Sequence, residues 1–140
     1  MTNLRRLVVT SLCAVLAAAA LTVAACGKSD TSPTASTSVT LLDTSVTLLS
    51  GVTCNTGNMA VDFSGTAGKT VVITATGSSS LVPHFTLYAP DFAVQLGGST
   101  SGAAGAASLT FTLTQTGVHH VSLCDSNGTA GTLHVTVVQQ

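Results

Sequence analysis

What most narrows the fold of this chain is a succession of short segments in which apolar residues alternate with small polar ones, each closed by a turn-forming cluster. Over residues 69–76, Val71, Ile73 and Ala75 fall on one face and Val72, Thr74 and Thr76 on the other; over 108–114, Leu109, Phe111 and Leu113 alternate with threonines. A period of two belongs to a half-buried strand, because successive Cβ atoms on an extended backbone point to opposite faces. The same grammar runs through 59–64, 84–89, 118–124 and 132–138 and more weakly through 92–96, with breaks at Gly77-Ser-Ser-Ser80, Pro90-Asp91 and Thr116-Gly117. Asp125-Ser-Asn127-Gly128 reads as a hairpin turn joining 118–124 to 132–138, and 97–107 as a loop of small residues. With no Trp, one Tyr and four Phe, the interior has to be built largely from aliphatic and β-branched side chains, which suit a pleated surface. The expectation is an all-β fold, a jelly-roll-like antiparallel β-sandwich of about 7–8 strands without helices.

Composition also removes classes of function. Charged residues are 6% of the chain and the formal net charge is -1, so there is no basic face to release counterions and no nucleic-acid partner is expected. Every acidic residue is an Asp, placed singly at 30, 43, 62, 91 and 125, which offers no paired carboxylates for acid–base work. No Gly-x-Ser-x-Gly elbow is present. No catalytic residue is assigned and no cofactor is implied; the chain is expected not to be an enzyme.

The first 26 residues carry an address. Arg5-Arg6 precedes an apolar run from 7 to 25 that ends in small residues before Cys26, the layout of a secretory leader. Val23-Ala24-Ala25-Cys26 resembles the bacterial lipobox, which implies a lipoprotein signal peptide over 1–25, cleavage before Cys26 and fatty acylation of its sulfur. The expected partner of the N-terminus is therefore a membrane, entered through lipid. Gly27 rather than Asp follows the cysteine, which points to the outer membrane of a two-membrane cell and otherwise to the outer face of the plasma membrane. The alternative is an uncleaved anchor, since the apolar run is just long enough to span a bilayer core of about 30 Å. Residues 26–38 are rich in Ser and Thr with one proline and read as a flexible tether. The domain proper is 39–140.

Once Cys13 leaves with the leader and Cys26 takes up lipid, Cys54 and Cys124 remain. In an exported chain such a pair reads as a disulfide; a metal pair, or a nucleophilic cysteine working with a histidine, is the competing reading, without a CxxC motif to support it. The domain opens with a seven-residue repeat, Thr37-Ser-Val-Thr-Leu-Leu-Asp43 and Thr44-Ser-Val-Thr-Leu-Leu-Ser50. Two copies are too few for a solenoid, and the Val and Thr content points to a strand or two.

Two stretches carry a family resemblance: Gly68-Lys69-Thr-Val-Val-Ile73-Thr-Ala-Thr-Gly77 running on through Pro83-His-Phe85-Thr-Leu87-Tyr88-Ala-Pro90-Asp91, and Leu109-Thr-Phe111-Thr-Leu113-Thr-Gln-Thr116-Gly117-Val-His119-His-Val121-Ser-Leu123. Together they resemble the bacterial pre-peptidase C-terminal domain, in matching order over roughly 52–138. The resemblance implies a compact β-sandwich of the kind appended to secreted proteases, where it assists secretion or binds a polymeric substrate, with calcium in some collagen-binding members. Three departures qualify it. No peptidase domain precedes this one, so the module is expected to stand alone on its anchor. Phe92-Ala-Val follows Asp91 where the family often has further acids, and His119 stands where it commonly has Tyr.

The candidate sites follow from the few versatile side chains. If 118–124 and 132–138 pair as a hairpin, His120 and His134 share the outward face one diagonal apart, within reach of one metal ion; the alternative is a pair of exposed strand residues, and no third ligand is apparent. His119 reads as a half-buried core filler with one hydrogen bond rather than as a base. Tyr88 and Phe92 are the aromatic candidates for stacking a sugar ring of an extracellular polymer, against the plainer reading of a strand-end Tyr on the sheet edge. The leading expectation is a lipid-anchored, non-catalytic cell-envelope module with a structural, adhesive or accessory binding role. The alternatives are an accessory factor or inhibitor of a secreted protease and, behind that, a metal-handling envelope protein using surface histidines.

Overall fold

A computed structural model of the chain describes residues 37–99 and 105–140. The leader, Cys26, most of the tether and part of the small-residue loop lie outside the described residues. Among the described residues there are eight strands and no helix: β1 (Val39–Leu48), β2 (Met59–Gly65), β3 (Thr70–Thr76), β4 (Pro83–Tyr88), β5 (Gln95–Ser99), β6 (Ala106–Thr112), β7 (Gly117–Asp125) and β8 (Gly131–Gln139). They make two antiparallel four-stranded sheets, ordered β1-β8-β3-β6 and β2-β7-β4-β5.

Alternation decides the core. Val71, Ile73 and Ala75 of β3 and Leu133, Val135 and Val137 of β8 are fully buried and face Phe85 and Leu87 of β4 and Val121 and Leu123 of β7 across the sandwich. These are the inner strands of their sheets. On the edge strand β6, Leu109 and Phe111 lie on the expected inward face but stay half-buried. The seven-residue repeat folds as one strand, and a seven-residue period is odd, so equivalent residues of the two copies would land on opposite faces of a regular strand. An irregularity between Thr40 and Leu42 takes up one residue against β8 and restores an even count, which lets Leu41 and Leu42 both pack on the core while Val46 and Leu48 are buried further along.

Two connections differ from expectation. The turn at 125–128 does not make a hairpin: β7 and β8 belong to different sheets. A two-residue hairpin of that sequence needs positive φ at both central residues, and here Gly128 has φ 67° while Asn127 is not among the positive-φ residues. Instead the buried Asp125 carboxylate accepts the backbone N–H groups of Val82, of Asn127 (3.0 Å) and of Thr129 (2.7 Å), turning the chain over the end of the sandwich. The weak strand expected at 92–96 forms later, at Gln95–Ser99, taking in residues read as loop. Gly97 lies in that strand facing Leu109 and Phe111 of β6, where a Cβ would make only ordinary contact at 3.4 and 3.6 Å. Consecutive strands otherwise cross from sheet to sheet, and among the eight the one hairpin joins β4 to β5.

Candidate functional site: the outer face of the second sheet

Pairing puts Asp62 of β2, His120 of β7 and Tyr88 of β4 on one rung, Asp62 opposite His120 and Tyr88 opposite His120 on its other side. Their side chains take the outward face, since the alternate residues Phe63, His119 and Leu87 are buried in the core. His120 donates through Nδ1 to Asp62 Oδ1 at 2.7 Å, which fixes the ring.

The fourth member comes from the β4–β5 hairpin. Pro90 follows Ala89 in a turn closed by the Phe92 N–H on the Ala89 carbonyl at 2.9 Å and by the Ala89 N–H on the Val94 carbonyl at 2.8 Å, while Asp91 Oδ1 accepts the Ala93 N–H at 3.0 Å. At the end of this turn Phe92 has φ 59°, the one positive value at a non-glycine residue among the described residues. Gly or Asn is the usual occupant of such a conformation, and a bulky side chain there costs about 1–2 kcal/mol. That backbone folds the ring back over the sheet, parallel to Tyr88 within 4° at 4.9 Å and tilted against His120 at 4.6 Å. Phe92 remains 47% exposed, so the cluster presents an open ring supported from below by two others. Asp62 also lines a cleft of about 400 Å³ with Thr40, Leu41, Phe63, Ser64 and Val118, at the seam where edge strands β1 and β2 meet. A flat apolar ring, a carboxylate acceptor and an adjoining cleft can hold a ligand with an apolar face and peripheral hydroxyl groups.

The remaining candidates are placed elsewhere. His120 and His134 do not share a face, because β7 and β8 lie in different sheets; His134 instead stands 3.3 Å from Asp43, an exposed pair of little energetic weight. His119 is fully buried rather than half-buried, stacked on Phe63 at 5.4 Å, and donates through Nδ1 to the Gly117 carbonyl at 3.2 Å while Nε2 has no partner among the described residues. Burial lowers its pKa, the bond to Gly117 works against that, and His120 next to it lowers it further. Cys54 and Cys124 are joined as a disulfide, with Cα atoms 4.9 Å apart, at the opposite end of the same outer face. There the His84 ring stands beside the two sulfurs.

No family model and no curated protein matches the chain. Among solved structures it is similar to the pre-peptidase C-terminal domain of a collagenase from Bacillus anthracis, at TM-score 0.56 and 11% identity, covering 69% of this chain and 88% of that one. PliG of Aeromonas hydrophila, a periplasmic inhibitor of g-type lysozyme, aligns at TM-score 0.47 and 17% identity over 74% of this chain and 84% of its own. The eight-stranded sandwich is thus similar in fold to a pre-peptidase C-terminal domain.

Proposed function

We propose that the protein is a non-catalytic binding module of the bacterial cell envelope, anchored by lipid on Cys26, that engages an extracellular glycan through Phe92, Tyr88, His120 and Asp62. The observation that supports this most is Phe92: a half-exposed aromatic ring is held at positive φ on top of two other rings. Strain of that kind gathers where a side chain must be presented rather than packed. The apolar face of a pyranose would lie on Phe92, and its hydroxyls would reach Asp62 and the neighbouring cleft. The lipobox-like Val23-Ala24-Ala25-Cys26 and the Ser/Thr-rich stretch behind it support the address.

Detergent-solubilised protein incubated with insoluble peptidoglycan, chitin and cellulose tests the reading. Retention on at least one polymer is expected, and its loss in Tyr88→Ala and Phe92→Asn; retention on none, or variants that bind like the parent, overturns it. Cys26→Ser is expected to leave the protein unacylated, either released from membranes or as an unprocessed precursor. A normally acylated membrane protein from that variant would remove the anchor from the proposal.

A further inference from the structure

Cys54, His84 and Cys124 are the one group of three metal-ligating side chains among the described residues whose donor atoms all lie within 4.8 Å of one another. His84 stands directly opposite Cys124 across the β4–β7 ladder, and the loop after β1 lays Cys54 over both. The His84 ring makes no hydrogen bond or ion pair among the described residues, so its nitrogens are uncommitted.

We infer that opening the Cys54–Cys124 disulfide converts this corner into a site for a borderline-soft divalent cation of the Zn²⁺ type, held by two thiolates and the His84 imidazole with a fourth position open to solvent. The inference is independent of the glycan reading, whose residues lie at the other end of the sheet. The chemistry balances with a dithiol reductant: the disulfide takes two electrons and two protons from it and becomes two thiols, while the reductant closes its own disulfide. Zn²⁺ then displaces both thiol protons, and the two thiolate charges neutralise the ion. Bonds of about 2.3 Å to sulfur and 2.0 Å to nitrogen require the sulfurs to separate to roughly 3.8 Å, the edge of a tetrahedron of that size. Rotation of the two cysteine side chains supplies a movement of this scale.

What makes the triad a site rather than a coincidence of the disulfide is that other bonds hold the same atoms in place. Gly51 N–H donates to the Gly128 carbonyl at 2.9 Å, and the N–H groups of Thr56 and Gly57 both donate to the Thr53 carbonyl at 3.0 Å. Thr53 bridges to Asp125. The Cys54 loop is therefore pinned on both sides without the sulfur bridge, and the β4–β7 ladder fixes His84 against Cys124. Two sulfurs and an imidazole select against hard oxygen-seeking cations such as Ca²⁺ and Mg²⁺.

Cobalt(II) titration of the full-length chain, reduced with a non-thiol phosphine and compared with the oxidised chain, provides the test. The reduced protein is expected to bind one equivalent of Co²⁺ with thiolate-to-metal charge-transfer absorption and tetrahedral d–d bands, competed away by Zn²⁺, and the oxidised protein to show neither. His84→Ala is expected to weaken binding by about tenfold or more and to shift the d–d bands. Equal spectra from reduced and oxidised protein, or unchanged affinity and bands in His84→Ala, would overturn the inference. Circular dichroism on the same samples covers loss of structure on reduction. A chain that unfolds and is refolded by Zn²⁺ in a His84-dependent way supports the site, and binding by an unfolded chain that ignores His84 refutes it.

Discussion

Replacing Phe92 by Asn separates presentation from stability, and the expected size of each effect follows from the geometry. Asn tolerates the φ of 59° that Phe92 occupies, so the substitution relieves about 1–2 kcal/mol of backbone strain. Against this stand the ring contacts with Tyr88 and His120, of about 0.5–1.5 kcal/mol for an aromatic pair, and the burial of about half a ring, roughly 1 kcal/mol. The two sides nearly cancel. Urea denaturation followed by fluorescence of Tyr88 or by far-UV circular dichroism should show Phe92→Asn within about 1 kcal/mol of the parent, with an unchanged slope, while retention on the glycan polymers is lost. A destabilisation above about 3 kcal/mol would show that Phe92 is a packing residue and that the ring is not held there for a ligand. Unchanged polymer retention at unchanged stability would refute the platform itself.

Reduction of Cys54–Cys124 in metal-free buffer should lower the melting temperature by about 15–30 °C, because the bridge closes a separation of 70 residues, worth about 4 kcal/mol in chain entropy, in a domain of about a hundred residues; an unchanged calorimetric melt would show that it adds no stability. His119 is held neutral by burial with its pKa below the ordinary value, so the unfolded chain binds its proton first as pH falls. Stability should be constant above about pH 6.5 and decline below it, and His119→Phe should flatten that decline; an equally steep acid limb in the variant would assign the effect to other groups. Phe85→Ala, at a fully buried position, should cost about 3–5 kcal/mol and Phe111→Ala, half-buried on an edge strand, about half as much. Equal losses in denaturant would mean that the edge is as tightly packed as the centre.

The strand faces were legible because alternation is a local property: Val71, Ile73 and Ala75 declare their common side within one segment, and they are buried as a set. The disulfide was legible by subtraction, once Cys13 was assigned to the leader and Cys26 to the lipid. Register between distant strands was not. Asp62 and His120 are 58 residues apart, and nothing in either segment announces that β2 and β7 bring them to one rung. The turn at Asp125 misled for a related reason, since Asp-Ser-Asn-Gly serves a hairpin or a crossover equally well and the choice rests on the buried N–H groups that its carboxylate reaches, Val82 among them. Of the candidate site, Tyr88 and Phe92 could be named because they flank one turn. The conformation that makes Phe92 informative could not, as Phe is the residue that local rules would least place there.

The position of β8 bears on how such a chain is made. It lies between β1 and β3, so the last strand of the sandwich to be synthesised is the wedge that joins the first strand to the rest of its sheet. Until residues 131–139 arrive, β1 has no neighbour in its sheet and Leu133, Val135 and Val137 are missing from the core that Phe85 and Leu87 of β4 face. With nearly every connection crossing between sheets, early native contacts are few and distant in sequence, which slows folding. A nascent chain built in this way becomes a closed sandwich only once β8 has been made.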